Sequence, residues 1–363
     1  MAEIYLGESV GAAGSEESVA IKSIIPDLTS DPRFTEMLIQ EAKIATLLDH
    51  ANIVRVLDLG QIRERYYIVM EYVDGADLDN TLRHARGQGI ELPVSLACLI
   101  CRRVLDGLCF VHERTDEHGQ PLHLVHRDVS PPNILLSRAG EVKLADFGIA
   151  KVKDRPVFTE TGMIRGKLAY MSPEQACKAE LDGRSDLFNL GIVLHELLSG
   201  KPLFKAADQF AMMQEVREAR IDPPSRDRPG IPAVLDEVVL RALARDREAR
   251  FPSARDFGLA LDSAIKRARL RARTADLSGW LERALPPRHV EALPPAGEVL
   301  ALKSAPLAEV RGVGATLPSD APGTAGAEAR ARVPSRRRLA VLGLGAAVLV
   351  VTAGAILFWA RSC

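Results

Sequence analysis

The sequence predicts an α+β fold of two lobes, a small β-rich N-terminal lobe and a larger helical C-terminal lobe, with a transmembrane helix at the C-terminus. Three observations carry this. The runs "IYLG", "SVAIKSI", "IVRVLDLGQI" and "RYYIVMEYV" are short, β-branched or aromatic, and bounded by turn residues, which is the signature of strands. After "DGADLDNTL" the pattern turns helical, apart from the paired runs "NILLS" and "EVKLADFG", which read as a hairpin. Finally, residues 339–360 carry no charge, and as a helix they would span roughly 33 Å, a bilayer width. With 363 residues, 47% hydrophobic and 26% charged, the chain suits two packed parts around sizeable cores.

Taken in order, the first strands are interrupted by a helix. Its apolar stripe of Phe34, Leu38, Ala45 and Leu48 has Glu41 at its centre, and a carboxylate there needs a cation. Lys22, closing the strand "VAIK", is the nearest candidate. In the second lobe, "LACLICRRVLDGLCFVH" is a core helix carrying Leu105, Leu108 and Val111 on the same pattern as Cys98 and Cys101. With no second ligand pair, that C-x-x-C reads as buried thiols rather than a zinc site. A last helix presents Phe257, Leu261 and Ile265, and the basic run over 266–273 is its solvated face.

Residues 286–335 are rich in Pro, Ala and Gly without periodicity, a linker whose reach is on the order of 40 Å. Arg336, Arg337 and Arg338 precede the apolar run and only Arg361 follows, so the positive-inside rule puts the N-terminal side in the cytoplasm and the anchor in the inner membrane as a single pass. The expected division is 1–272 for the folded domain, 273–335 for a helix end and disordered linker, and 336–363 for the basic stop and span. No secretory signal opens the chain. A formal net charge of −1 gives no basic excess for a nucleic-acid partner.

The chemistry concentrates in "HLVHRDVSPPNILLS", residues 123–137. Asp128 and, five residues on, Asn133 put a carboxylate and an amide on one loop; Asp146 lies across the hairpin. Two acids and an amide meeting at a cleft suit a hard divalent cation and a phosphate substrate.

"VAIK", Glu41, "HRDVSPPN", "DFG" and "SPE" follow one another in the order of the protein-kinase signature set, and over about residues 1 to 270 the chain resembles the bacterial eukaryotic-like (Hanks-type) Ser/Thr kinases. The resemblance implies the two-lobed kinase fold, ATP with Mg²⁺ or Mn²⁺, protein substrates with Ser or Thr acceptors, and homodimers for trans-autophosphorylation. It implies that Lys22 holds the α- and β-phosphates and pairs with Glu41, that Asp128 accepts the acceptor hydroxyl's proton, and that Asn133 and Asp146 hold the metal. Met70 stands as gatekeeper, Glu71 and Val73 offer backbone groups to adenine, Ala20 and Ile4 line the adenine site, and Asp77 lies near the ribose. Glu174 pairs with Arg250, Asp186 bonds the catalytic loop's backbone, and Arg127 reads phosphorylation at Thr159 or Thr161.

Two departures qualify the resemblance. "MAEIY" matches the end of a Gly-rich loop, so its first glycines and first strand fall before Met1; either translation starts upstream or phosphate covering is impaired. Ser130 occupies the place of a lysine that neutralises the γ-phosphate, while Lys167 replaces the threonine that contacts it, as if cation and hydroxyl had exchanged places. A pseudokinase that binds partners at the membrane without phosphoryl transfer is the competing expectation.

Overall fold

The computed structural model describes residues 2–10, 16–24, 42, 45–62, 65–146, 168–287, 299–300, 303–304 and 348–351. The N-terminal sheet is built from β1 (Ala2–Val10), β2 (Glu16–Ile24), β3 (Val56–Ile62) and β4 (Arg65–Glu71). These are the four runs read as strands above. β2 lies between β1 and β4, and β3 pairs with the far side of β4, all antiparallel. Period-2 alternation sorts β2 into two faces: Val19 and Ile21 pack beneath with Val69, while Ala20 and Lys22 take the other face.

β5 (Gly75–Asp77), β6 (Ile134–Ser137) and β7 (Val142–Leu144) form a second small sheet on the C-terminal lobe. The turn between β6 and β7 needs Gly140, whose φ is +86° and whose absent Cβ would lie 2.2 Å from the Thr274 carbonyl oxygen. The predicted hairpin is therefore present, and it is pinned from outside.

The helices are α1 (Leu78–Gly87), α2 (Val94–His112), α3 (Pro173–Ala176), α4 (Gly183–Ser199), α5 (Gln209–Glu218), α6 (Pro224–Asp227), α7 (Ala233–Ala242), α8 (Ala254–Arg267) and α9 (Thr274–Ala284). α4 is mostly apolar and buried for nearly its whole length, as a central helix must be, and its buried polar residues such as Asp186 and Asn189 find hydrogen-bond partners. The Asp182 side chain caps its start and left-handed Gly200 ends it. α2 and α8 pack against it or each other through Val104, Leu105, Leu108, Phe257 and Leu261, all 1% exposed or less. Cys98 and Cys101 are buried in that core, and burial pushes the Cys98 thiol up to about 12, so neither supplies a thiolate.

The described residues add three things to the sequence expectations. α9, beyond the expected boundary at residue 272, packs on the core of the helical lobe. Leu277, Trp280, Leu281 and Ala284 form an apolar stripe that buries completely, and the Trp280 indole N–H donates to the Glu91 carbonyl. Of the run over 339–360, only β10 (Val348–Val351) is described, as a strand beside β1. Its Val-Leu-Val-Val composition favours a strand, and β1 offers an edge with unpaired backbone groups. β8 (Val299–Leu300) and β9 (Lys303–Ser304), from the segment expected to be a structureless linker, pair with β10 and β3. No helix among the described residues is long and apolar enough to cross a membrane.

Candidate functional site

The site lies where the face of β2 carrying Lys22 looks across to the loop between α2 and β6. Apolar groups line its roof and floor: Ala20, Val56, Met70, Val73, Leu135 and Ala145 pack in one cluster drawn from both lobes. Ala20 stands opposite Met70 in the ladder, and Ile4, 61% exposed, stands directly opposite Lys22. Leu135 was missed by sequence reasoning. In "ILLS" the neighbours Ile134 and Leu136 bury beneath β6 and only Leu135 turns the other way, an alternation concealed by an all-apolar run.

The loop is held by Asp186, a carboxylate with no exposure at all. Burying it unpaired would be costly, and three donors converge on it: the His126 N–H at 2.8 Å, the Arg127 N–H at 2.7 Å and the His112 imidazole at 2.8 Å. Gly183 makes room for that imidazole, since a Cβ there would lie 2.8 Å from His112 Nδ1. His126 is fully buried, and burial holds its imidazole below the usual histidine range. Its Nε2–H donates to the Ala145 carbonyl at 3.0 Å and its Nδ1 accepts the Asp128 N–H at 3.3 Å, which settles a neutral tautomer.

Asn133 Nδ2 donates to the Asp128 carbonyl oxygen at 2.8 Å, and the Asn133 carbonyl accepts from the Ala145 N–H. These two bonds tie Asn133 both to Asp128 and to Ala145, the residue before Asp146. Lys22 Nζ lies 2.7 Å from Asp146 Oδ1, so the lobes are bridged by an ion pair whose side chains are 25% and 37% exposed. Arg127 and Asp146 are non-glycine residues at φ +66° and +55°, and such conformations persist only where the surroundings over-determine them. The Arg127 Nε is buried without a hydrogen-bond partner among the described residues. Ser130 is buried, its hydroxyl 3.5 Å from the Asp128 carbonyl oxygen.

The residues present fit a hard cation held jointly with a phosphate ligand. Asn133 Oδ1 accepts no hydrogen bond from the described residues, and Lys22 engages only one oxygen of Asp146. No cluster of three or more His, Cys, Asp or Glu among the described residues forms a complete metal cage; Mg²⁺ typically takes one or two protein oxygens and completes its shell from phosphates and water.

At the junction between the lobes, the Glu71 carboxylate accepts from Lys143 Nζ at 2.8 and 3.0 Å and from the Arg55 N–H at 2.8 Å. Asp77, expected near a ribose, is 7% exposed and caps α1, one oxygen accepting from the Asn80 N–H and the other from the Asn80 amide. Burial holds its carboxyl above the usual range. Arg250 donates from Nη1 and Nη2 to the two Glu174 oxygens at 2.7 and 2.9 Å, its guanidinium lying over the Phe188 ring. Glu41, Phe147, Gly148, Thr159, Thr161 and Lys167 lie outside the described residues.

The family described as "Protein kinase domain" matches residues 8–257. The chain is 44% identical over 265 residues to the tyrosine-protein kinase MasK of Myxococcus xanthus, covering 72% of this chain and 41% of MasK. It is 38% identical to the serine/threonine-protein kinase PknB of Mycobacterium leprae, covering 70% of this chain and 39% of PknB. The chain thus spans about two-fifths of the length of these curated relatives. Among solved structures, the kinase domain of Mycobacterium tuberculosis PknI aligns at 30% identity with a TM-score of 0.55, covering 73% of this chain and 91% of that one.

Proposed function

The chain belongs to the protein kinase domain family, in its bacterial Hanks-type branch, and from that premise we propose that it transfers the γ-phosphoryl group of ATP to serine or threonine hydroxyls of protein substrates. The observation that carries the reading is the meeting of Lys22, Asp128, Asn133 and Asp146 at one cleft beneath a two-lobed apolar cluster.

In this reading adenine enters between Ala20 and Leu135, its edge bonding the backbone of Glu71 and Val73, while Lys22 holds the phosphates. Asn133 and Asp146 hold Mg²⁺, which neutralises charge on the phosphate oxygens. The acceptor oxygen attacks the γ-phosphorus, the bond to the β–γ bridging oxygen breaks, and Asp128 takes the hydroxyl proton. The residues supply mainly positioning and charge complementarity, which is what phosphoryl transfer asks of a protein.

Tyrosine as acceptor is a second reading, favoured by the 44% identity to a kinase named for tyrosine and by Ser130, which leaves the loop without the lysine of Ser/Thr kinases. Incubating the full chain with γ-labelled ATP and hydrolysing the product separates the two by the labelled amino acid. No transfer by the wild type would leave a kinase-shaped binding module instead.

Regulation is read at Arg127, whose buried Nε lacks a partner among the described residues. Replacing Thr159 and Thr161 by alanine should cost less in an Arg127→Ala background than in wild type, because residues acting as one unit are non-additive. The run 339–360, uncharged and preceded by three arginines, supports a single-pass inner-membrane anchor with the kinase in the cytoplasm, an arrangement in which residues 348–351 leave their pairing with β1 for a helix in the bilayer. Retention in membranes through carbonate extraction, lost on truncation before Arg336, tests it; release of the full chain rules the anchor out.

A further inference from the structure

Arg127 immediately precedes the proposed base, and its backbone is held on both sides by different residues. Its N–H, like that of His126, donates to Asp186, so Asp186 orients the two peptide units before Arg127. It makes no bond to the unit after it. That unit begins with the Arg127 carbonyl, which accepts from Gln175 Nε2 at 2.9 Å, and ends with the Asp128 N–H, which donates to His126 Nδ1 at 3.3 Å. A peptide unit is planar, so fixing its carbonyl fixes the direction in which the Asp128 Cα leaves. Because Arg127 sits at φ +66°, a conformation that side chains rarely adopt, a released plane has lower-energy orientations to turn to.

The other end of the Gln175 amide is equally committed. Oε1 accepts from the Ser172 N–H at 2.8 Å, closing a capping box in which Ser172 Oγ accepts from the Gln175 N–H. Oε1 also accepts from Asn189 Nδ2 at 3.1 Å, and that same Nδ2 donates to the Tyr170 carbonyl. One amide therefore joins the stretch 170–172, the central helix α4 and the loop of the base.

We propose that Gln175 is a positioning residue that sets the peptide unit before Asp128 and makes the base's orientation depend on the seating of residues 170–172. The proposal rests on the kinase reading, in which Asp128 must face the acceptor hydroxyl. A displacement of about 1 Å at such a group costs on the order of 10² in rate.

The test uses the full chain carrying Gln175→Glu. The variant keeps the shape and the acceptor that receives Ser172 and Asn189, but replaces the donor facing the Arg127 carbonyl with an oxygen. Expected are a fall in kcat of about 10- to 10²-fold with KM for ATP unchanged, and faster amide exchange across 126–133. The comparison is Ser253→Ala, which removes the cap of α8, where Ser253 Oγ accepts the Asp256 N–H at 3.1 Å. That variant should lower Tm by as much and leave kcat and the loop's exchange alone. Wild-type kcat and exchange in Gln175→Glu, or losses in the two variants that track Tm equally, would overturn the proposal. If Gln175→Glu does not fold, Gln175→Met decides by the same readouts, and failure of both to fold makes the residue structural and overturns it. A wild type without transfer sinks the kinase reading, and the exchange of 126–133 alone then decides Gln175.

Discussion

The two walls of the cleft are built on different physical plans. On the C-terminal side the functional loop is tied into the interior: Asp186 and His126 have no exposure, Arg250 is 2% exposed, and each finds hydrogen-bond partners there. On the N-terminal side Lys22 stands on a sheet face with Ile4 exposed opposite it, and one half-exposed ion pair bridges to the other wall. The first plan makes geometry and stability the same property, because buried polar groups cannot lose partners without cost. The second separates them, because a partly exposed pair contributes at most about 1 kcal/mol to folding yet carries charge that the proposed transfer would use. Variants on the two walls should therefore fail in different ways.

The sharpest contrast is expected at Lys22. Lys22→Met should lower transfer by on the order of 10³, the upper range for losing one preorganised charge stabiliser, while Tm stays near wild type. A large fall in Tm would break the comparison by showing that the N-terminal wall is also structurally coupled; normal transfer would remove Lys22 from the site.

Next comes Arg250. Arg250→Met leaves Glu174 buried with one donor from Ser185 and strips bonds from the Ala244, Arg184 and Arg245 carbonyls. Breaking a buried pair from one side costs about 3–5 kcal/mol, readable as a shift in the denaturant midpoint. Arg250→Lys should recover little, since one ammonium cannot serve two carboxylate oxygens and three carbonyls in that fork. Unfolding energies within 1 kcal/mol of wild type, roughly the worth of a surface pair, would put Arg250 on the other plan.

Lys143 lies between the two plans, tying Glu71 at the junction of the lobes while both side chains remain mostly buried. Lys143→Met should let the Glu71 backbone wander and raise KM for ATP by about 3- to 10-fold, up to roughly 1.4 kcal/mol of binding, with kcat unchanged. A fall in kcat at constant KM would mean that the clamp serves the reacting end rather than the adenine end.

Local chemistry was legible in the sequence wherever one element sufficed to carry it. Four strands announced themselves through β-branched runs, and Asp128, Asn133 and Asp146 through their spacing around one hairpin. What pairs across the chain was less legible. Gln175 looks like an ordinary third residue of a short helix until Arg127 arrives beside it from 48 positions away, and Lys143 looks like a solvent-facing strand residue until Glu71 meets it. His112 ends a core helix with nothing nearby in sequence to suggest Asp186. Asp77 carries a helix-capping signal, an acid followed three residues later by Asn80, that is legible within one element. α9 is legible beyond the basic run through the helical spacing of Leu277, Trp280 and Leu281.

The smallest expected effect tests whether the C-terminal plan extends beyond the cleft, to His195 on α4. Its Nε2–H donates to the Asp222 carbonyl at 3.0 Å, while its buried Nδ1 has no partner among the described residues. Burial holds the imidazole below its ordinary value of 6.5, the attraction of Asp222, Asp227 and Asp236 opposing that only in part. The sign follows from proton counting. Between the unfolded value near 6.5 and the lower folded one, the unfolded chain binds more protons, so stability present above 6.5 is lost as pH falls through that window. His126 is depressed for the same reason and adds to the slope. His195→Gln keeps a donor for Asp222 and removes the titration, so its stability should fall less steeply than wild type between pH 7 and pH 5. Denaturant unfolding across that range should give curves that converge as pH falls. Parallel curves would mean that His195 accommodates its second proton within the fold, and that burial of a polar group beyond the cleft does not carry the cost it carries at the loop.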